Sequence, residues 1–301
     1  MFTDQDADNF CNGILELINV DLFSEIVGST HHEAIEELKT AIAEARQTLL
    51  LLKAWNLKPN SKILEVGSGI GIASSAMSFF GYEVTALEPG GIGFEKNRKA
   101  SQFISEQVGT SFVSRSESAE EITFSDDVKF DLIVSNNVLE HVSDVELSLS
   151  NLYKYLSETG VMIHSCPNYS FPFEPHFGIP LVPVFPRLTR AFLAKPKRES
   201  GLWKSLNFVT ARRVRRYAKQ HGFSIAFRKG TMLKSFSRLR EDSEFLGRHQ
   251  TLGKLTNNKI LYRLLTRVFR LPILIATPMD FIVCHDSQKD SDLVLKWLRE
   301  S

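Results

Sequence analysis

Ile63-Leu64-Glu65-Val66-Gly67-Ser68-Gly69-Ile70-Gly71 decides how this chain folds. Its first half reads as a buried strand that runs straight into a glycine-rich turn. Ile72 to Phe80 then reads as a helix. Tyr82-Glu83-Val84-Thr85-Ala86-Leu87 reads as a second strand, closed by the acidic Glu88. Strand, glycine turn, helix, strand and terminal carboxylate together describe a nucleoside-binding half of an open α/β sheet.

The glycines narrow the ligand. A dinucleotide fingerprint spaces them G-x-G-x-x-G/A, so that helix-start amides meet a pyrophosphate. Gly67 and Gly69 fit, but the third slot holds Ile72 and the third glycine comes early, at Gly71. Glu65 adds a carboxylate at the strand end, which would repel a pyrophosphate and attract an ammonium or sulfonium group. The turn therefore points to a cationic nucleoside ligand.

Glu65 to Gly71 resembles the first motif of the class I S-adenosylmethionine-dependent methyltransferases. Glu88 resembles that family's acidic residue on the ribose hydroxyls. Phe130-Asp131-Leu132-Ile133-Val134-Ser135-Asn136-Asn137-Val138-Leu139-Glu140-His141-Val142 resembles its fourth strand and the segment after it. The resemblance covers roughly residues 45–165 and implies S-adenosyl-L-methionine as cofactor. It places Gly67, Ser68, Gly69 and Gly71 under the methionine part, Glu65 near the ammonium, and Glu88 on both ribose hydroxyls. Leu87 and Pro89 would flank the adenine. The family's Asp before a small residue is replaced here by Ser118 before Ala119, with Glu117 next door as a substitute and the Ala119 amide as a donor. Asn136 or Asn137 would meet the methionine moiety or the acceptor.

Around this core the strand and helix patterns alternate. Strands are expected at 62–66, 83–87, 111–115, 130–135 and 160–165, with helices at 72–80, 92–107 and 144–156 between them. That alternation argues for a parallel sheet with helices on both faces. Helices over 10–28 and 31–57 precede it. A sixth strand is expected at 223–229, and a seventh at 281–285, which the family places antiparallel at the sheet edge. The expected fold is thus α/β: a Rossmann-like, seven-stranded methyltransferase sheet. An N-terminal helical cap (1–57) precedes a methyltransferase domain (58–289) with inserts after strands five (166–207) and six (231–276), and a tail (290–301) follows.

The first insert, rich in Pro and aromatics, reads as a lid without a regular period. With the strand before it, it carries His164, Cys166, Asn168, Tyr169, Glu174 and His176. Asn168, Tyr169, Glu174 and His176 are candidate acceptor contacts, and His176 is the best candidate for a general base. His141 is the second catalytic candidate, although a structural or cleft-wall role is the preferred reading of the Glu140-His141 pair. Two His and a carboxylate could hold a metal, but packing of the lid is the preferred reading and no metal is expected.

Net charge is +1, yet residues 187–240 carry sixteen Lys/Arg against Glu199 alone. That stretch could face an anionic partner or form solvated helix faces. Residues 260–270 form an amphipathic basic pattern, and 179–185 add apolar surface, so peripheral membrane contact at an inner membrane face is one expectation. The partner is expected to be a small-molecule or lipid-linked acceptor. Nucleic acid ranks below that, because no separate RNA-binding module is evident. Three scattered cysteines and an acidic N-terminus point to the cytoplasm. The expected activity is methyl transfer, with oxygen favoured, to a small-molecule, glycan-linked or lipid-linked acceptor. The alternatives are a non-catalytic S-adenosylmethionine-binding regulator or an RNA or protein methyltransferase.

Overall fold

In the computed structural model, the described residues are 3–53, 55, 57–90, 95–234, 272 and 274–299. Three helices come first: α1 (Asp4–Leu17), α2 (Val20–Val27) and α3 (His31–Leu52). The single helix expected over 10–28 is two helices. The chain turns extended at Ile18, and Asn19 accepts from the Leu22 amide, so it caps a new helix. α3 starts at Thr30, where Thr30 and Glu33 form a reciprocal capping box.

The sheet is built outward from β1 (Lys62–Val66), whose last four residues are all buried, as a strand covered on both faces requires. β2 (Glu83–Leu87) and β4 (Phe130–Asn136) flank it in parallel. β3 (Val113–Arg115) and β5 (Leu156–Cys166) extend the parallel array on either side. α4 (Ile72–Phe79), α5 (Glu95–Val108) and α6 (Val145–Lys154) lie in the connections.

The lid is more regular than its sequence suggests. β6 (Phe173–Glu174) and β7 (Ile179–Pro180) form a small hairpin. A 3-10 helix (Pro186–Phe192), α7 (Lys195–Glu199) and α8 (Gly201–Ser205) follow. α9 (Ala211–Gln220) begins at Thr210, whose hydroxyl accepts from the Arg213 amide.

The last strand does not take the edge position expected of it. β9 (Met279–Cys284) is antiparallel, but it runs between β5 and the outer β8 (Ser224–Phe227), giving the order β3-β2-β1-β4-β5-β9-β8. Its residues explain this. Phe281, Ile282, Val283 and Cys284 are all buried, as an interior strand demands, whereas β8 is only half-buried throughout. Residues 260–270, and with them most of the second insert, lie outside the described residues.

Each face of the sheet carries its own core. On one face Leu38, Leu49 and Leu52 of α3 pack with Ile63, Val134 and Trp297. Trp297 belongs to α10 (Asp292–Arg299), and its indole Nε1 donates to the Leu51 carbonyl at 3.0 Å. On the other face Leu149, Trp203, Val214 and Phe281 cluster. The strand order reverses between β1 and β4, and ligands of open α/β sheets bind at the carboxyl ends of such a pair.

Candidate active site

The turn after β1 is left-handed at three glycines, with φ of 71° at Gly67, 54° at Gly69 and 79° at Gly71. The three have different reasons to lack a side chain. A Cβ on Gly67 would lie 2.3 Å from Val138 Cγ2, and one on Gly71 would lie 2.3 Å from Ser101 Oγ. Both are closed by the protein's own packing. A Cβ on Gly69 would meet nothing within 4 Å, so Gly69 alone fronts open space.

Two carboxylates frame this turn. Glu65 is buried and accepts a hydrogen bond from the Ser74 hydroxyl of α4. Burial pushes its pKa up to about 8, and the nearby Glu88 charge adds to the rise. Glu88 accepts from the Gly69 amide and from Asn97 Nδ2 of α5, each at 2.8 Å. Burial raises its pKa as well. Two partly desolvated acids beside an open backbone favour a positively charged ligand, which would restore their ionised forms.

The side chains of two expected adenine contacts, Glu117 and Ser118, already have partners within the protein. Arg115 pairs with Glu117 through two nitrogens, including Nε at 3.0 Å from Oε2. Ser118 donates to Glu121 Oε2 at 3.0 Å, and Ala119 is buried with its carbonyl facing Asn151 Nδ2. Pro89 is exposed beside Glu88. Asn136 donates to the Glu44 carbonyl of α3 at 3.2 Å. Asn137 has φ 56°, a conformation asparagine tolerates, and its amide donates to the Ser165 carbonyl. Val138, which follows it, is the residue packed over Gly67.

The segment after β4 and the lid hairpin meet in a polar cluster. Glu140 is fully buried, and neither of its carboxylate oxygens has a hydrogen-bond partner on another residue. Burial pushes its pKa up to about 7. Its Oε1 lies 3.8 Å from His176 Nε2 and 3.9 Å from His141 Nε2. His176 Nδ1 is 2.6 Å from Glu174 Oε1, and His141 Nδ1 is 2.8 Å from Ser205 Oγ. For His176, burial pulls the pKa down, but the Glu174 hydrogen bond and the charges of Glu174, Glu140 and Glu44 outweigh it and hold the value up. For His141, burial and the neighbouring His176 press the pKa down to about 4.

Three expected acceptor contacts have other duties. Asn168 donates to the carbonyls of Leu274 and Ala276 and accepts from the amides of Ser170 and Ala211, so its amide group is spent within the fold. Glu174 is fully buried and accepts from Tyr169 Oη and the Phe177 amide as well as facing His176. Tyr169 and Glu174 therefore position His176 rather than face a ligand. His164 is inside the sheet, its Nδ1 2.7 Å from Ser135 Oγ, and burial lowers its pKa to about 3. The sequence reading missed Ser74, Asn97, Ser205 and Glu44. All four lie on helices or helix ends, and nothing local in the sequence marks them for the site.

The sequence pattern of the methyltransferase domain family matches residues 32–226, well over half of the chain. This chain belongs to that family. It is a class I S-adenosylmethionine-dependent methyltransferase, and S-adenosylmethionine is its methyl donor. The open backbone at Gly69 and the paired acids Glu65 and Glu88 fit that sulfonium ligand.

The methyltransferase is similar to an uncharacterized protein of Mycobacterium tuberculosis, 30% identical over 199 residues, which are 64% of this chain and 67% of that one. It is similar to the ubiquinone biosynthesis O-methyltransferase of Paramagnetospirillum magneticum, 30% identical over 106 residues. That match spans 35% of this chain and only 40% of the relative's length. Among solved structures, phosphoethanolamine N-methyltransferase 2 of Haemonchus contortus in complex with S-adenosyl-L-methionine aligns at 18% identity with a TM-score of 0.49. That alignment covers 79% of this chain and 51% of the other.

Proposed function

We propose that this methyltransferase acts on an oxygen atom of a small-molecule, glycan-linked or lipid-linked acceptor. The observation that carries this reading is the Glu140, His141 and His176 cluster, joined to the glycine turn through Val138. An amine attacks with its own lone pair. A hydroxyl must shed a proton as the new bond forms, and a group of proton acceptors suits it. In the ion-free protein His176 Nε2 is the base, oriented by Glu174 as in other carboxylate-supported imidazoles. The acceptor oxygen bonds to the methyl carbon, the carbon–sulfur bond breaks to leave a neutral thioether, and the hydroxyl proton passes to His176. Glu65 and Glu88 hold the donor's ammonium and ribose, and Gly69 gives its backbone room. The ubiquinone enzyme's name points the same way.

An apolar acceptor is supported by the lid surface that follows β7. Val184, Phe185, Leu188 and Phe192 are 86%, 63%, 58% and 80% exposed. Exposed Arg187, Arg190, Lys195 and Lys197 surround them. Apolar tips ringed by cations suit an anionic membrane surface. Among the described residues no helix is long and apolar enough to cross a membrane. The arginines of α9 form a solvated helix face rather than a nucleic-acid surface: Val214 and Tyr217 bury its other face, and Arg213 pairs with Glu146 at 3.2 Å.

Methyl-labelled S-adenosylmethionine incubated with cell extracts tests the reading. Label should enter a solvent-extractable product whose methyl linkage survives as an ether or ester. Label in amines, RNA or protein would overturn it, and donor binding without any transfer would favour a regulator. Flotation with anionic vesicles tests the surface, with Phe185→Ser/Phe192→Ser as the variant that should stay unbound.

A further inference from the structure

The protons around the polar cluster can be assigned. Ser205 Oγ donates to the Leu202 carbonyl at 2.9 Å, so its contact with His141 must be accepted from an N–H at Nδ1. Glu174 Oε1, which also accepts from Tyr169, likewise takes the proton of His176 Nδ1. In neutral imidazoles the other nitrogen then carries a lone pair. Both Nε2 lone pairs and Glu140 Oε1 consequently face one another with no hydrogen bond among them. At 3.8 and 3.9 Å the separations are too long for one, even with His176 protonated. A fully buried carboxylate with no partner on another residue carries a desolvation cost that some other group must offset.

We propose that Glu140, His141 and His176 bind a divalent transition-metal ion of the zinc, manganese or cobalt type. Their ligand atoms all lie within 4.8 Å of one another. In a tetrahedral site with bonds of about 2.1 Å, ligand atoms stand roughly 3.4 Å apart, so small side-chain rotations close the set. Two imidazoles and one carboxylate suit these ions better than calcium or magnesium. The outer contacts match as well, since Glu174 and Ser205 hold the far nitrogen of each ring as carboxylates and hydroxyls do around metal-bound histidines. The imidazoles are 22% and 24% exposed while Glu140 is sealed, so the open coordination position faces the solvent side of the rings. Glu44 of α3 adds a second negative charge felt by His176 and Glu140.

What the ion does there rests on the oxygen-acceptor reading. The acceptor hydroxyl would coordinate it and lose its proton to solvent, and His176 would serve as ligand instead of base. Its binding does not rest on that reading.

Untagged protein is stripped with EDTA, dialysed, and titrated separately with Zn2+, Mn2+ and Co2+, with metal content read by elemental analysis. One equivalent of at least one ion should bind, and Co2+ should develop visible absorption bands. Glu140→Gln and His176→Gln should lose the stoichiometric ion while still binding S-adenosylhomocysteine, which shows that they fold. Glu174→Gln, which removes only the support of His176, should weaken the ion by about 10–100-fold. Absence of a stoichiometric ion in the wild type, or equal affinity in all variants, overturns the site. Methylation that runs undiminished after stripping overturns the ion's role and leaves His176 as the base. A bound ion without any oxygen methylation overturns the acceptor reading and leaves the ion site standing.

Discussion

Gly69 donates its amide proton to Oε2 of Glu88 over 2.8 Å, tying the turn after β1 to the end of β2. The same carboxylate accepts from Asn97 of α5, so one acidic side chain joins three elements around the donor site. Glu88→Ala should therefore lose both a ligand contact and the order of the turn. Hydrogen bonds to a charged group are worth about 1.5–3 kcal/mol, or roughly 10–100-fold in affinity. Calorimetric titration with S-adenosylmethionine reads this. Unchanged affinity in Glu88→Ala would show that the residue only braces the turn.

The glycines should separate in their effects. Gly67→Ala places a methyl group on Val138 in a left-handed backbone, so about 2 kcal/mol or more of stability is lost. Val138→Ala in the same chain should return part of it. Gly69→Ala pays only the backbone cost of about 1–2 kcal/mol, yet it obstructs the space open to the donor. Denaturant midpoints and donor binding distinguish the two. Equal loss of binding at equal stability would contradict the assignment of Gly69 as the residue that fronts the ligand.

Glu65 makes donor binding depend on pH. Its folded pKa is about 8 against an ordinary 4.5, so the folded state holds a proton that the unfolded chain releases. Its contribution to stability is full below pH 4.5 and is lost as pH rises through 8. Without ligand, Glu65→Gln should be the more stable protein at pH 8–9, by up to about 4 kcal/mol, and should match the wild type below pH 4.5. The donor's ammonium favours the ionised carboxylate, so binding near pH 7 should release up to one proton. Titrations in buffers of different ionisation enthalpy measure that proton. Identical heats in every buffer would place Glu65 away from the ammonium.

His176→Ala should lower turnover by about 10²–10⁴-fold, the range expected for losing a positioned proton acceptor, with donor affinity unchanged. Tyr169→Phe removes only the hydroxyl that donates to Glu174, so its effect should be smaller and should move the pH profile of turnover. Full turnover by His176→Ala with the natural acceptor would remove His176 from the chemistry.

Much of this protein was legible in its linear order. β1, the glycine turn, α4 and β2 are neighbours in the chain, and their burial periodicity and backbone needs are written residue by residue in Ile63 to Glu88. Helix starts at Thr30 and Thr210 are equally local, because a capping hydroxyl reaches an amide only three residues away. Local signals also separated the Glu65 and Glu88 site from a pyrophosphate site.

Convergence across the chain could be settled only by the tertiary structure. Whether the last strand lies outside or inside the sheet depends on which neighbour buries Phe281 to Cys284, and no residue in that strand names its partner. The polar cluster draws Glu140 and His141 from the end of β4, Glu174 and His176 from the lid, Ser205 from α8 and the charge of Glu44 from α3. Asn168 and Glu174 look like ligand contacts in sequence, and packing assigns them to hold the backbone and to orient His176. The glycine turn with Glu65 and Glu88 was legible because those residues follow one another within Ile63 to Glu88, whereas Asn97, which completes the hold on Glu88, comes from α5. The polar cluster around Glu140 was left to the fold, because its side chains meet only after the sheet, the lid and the N-terminal helices have packed together.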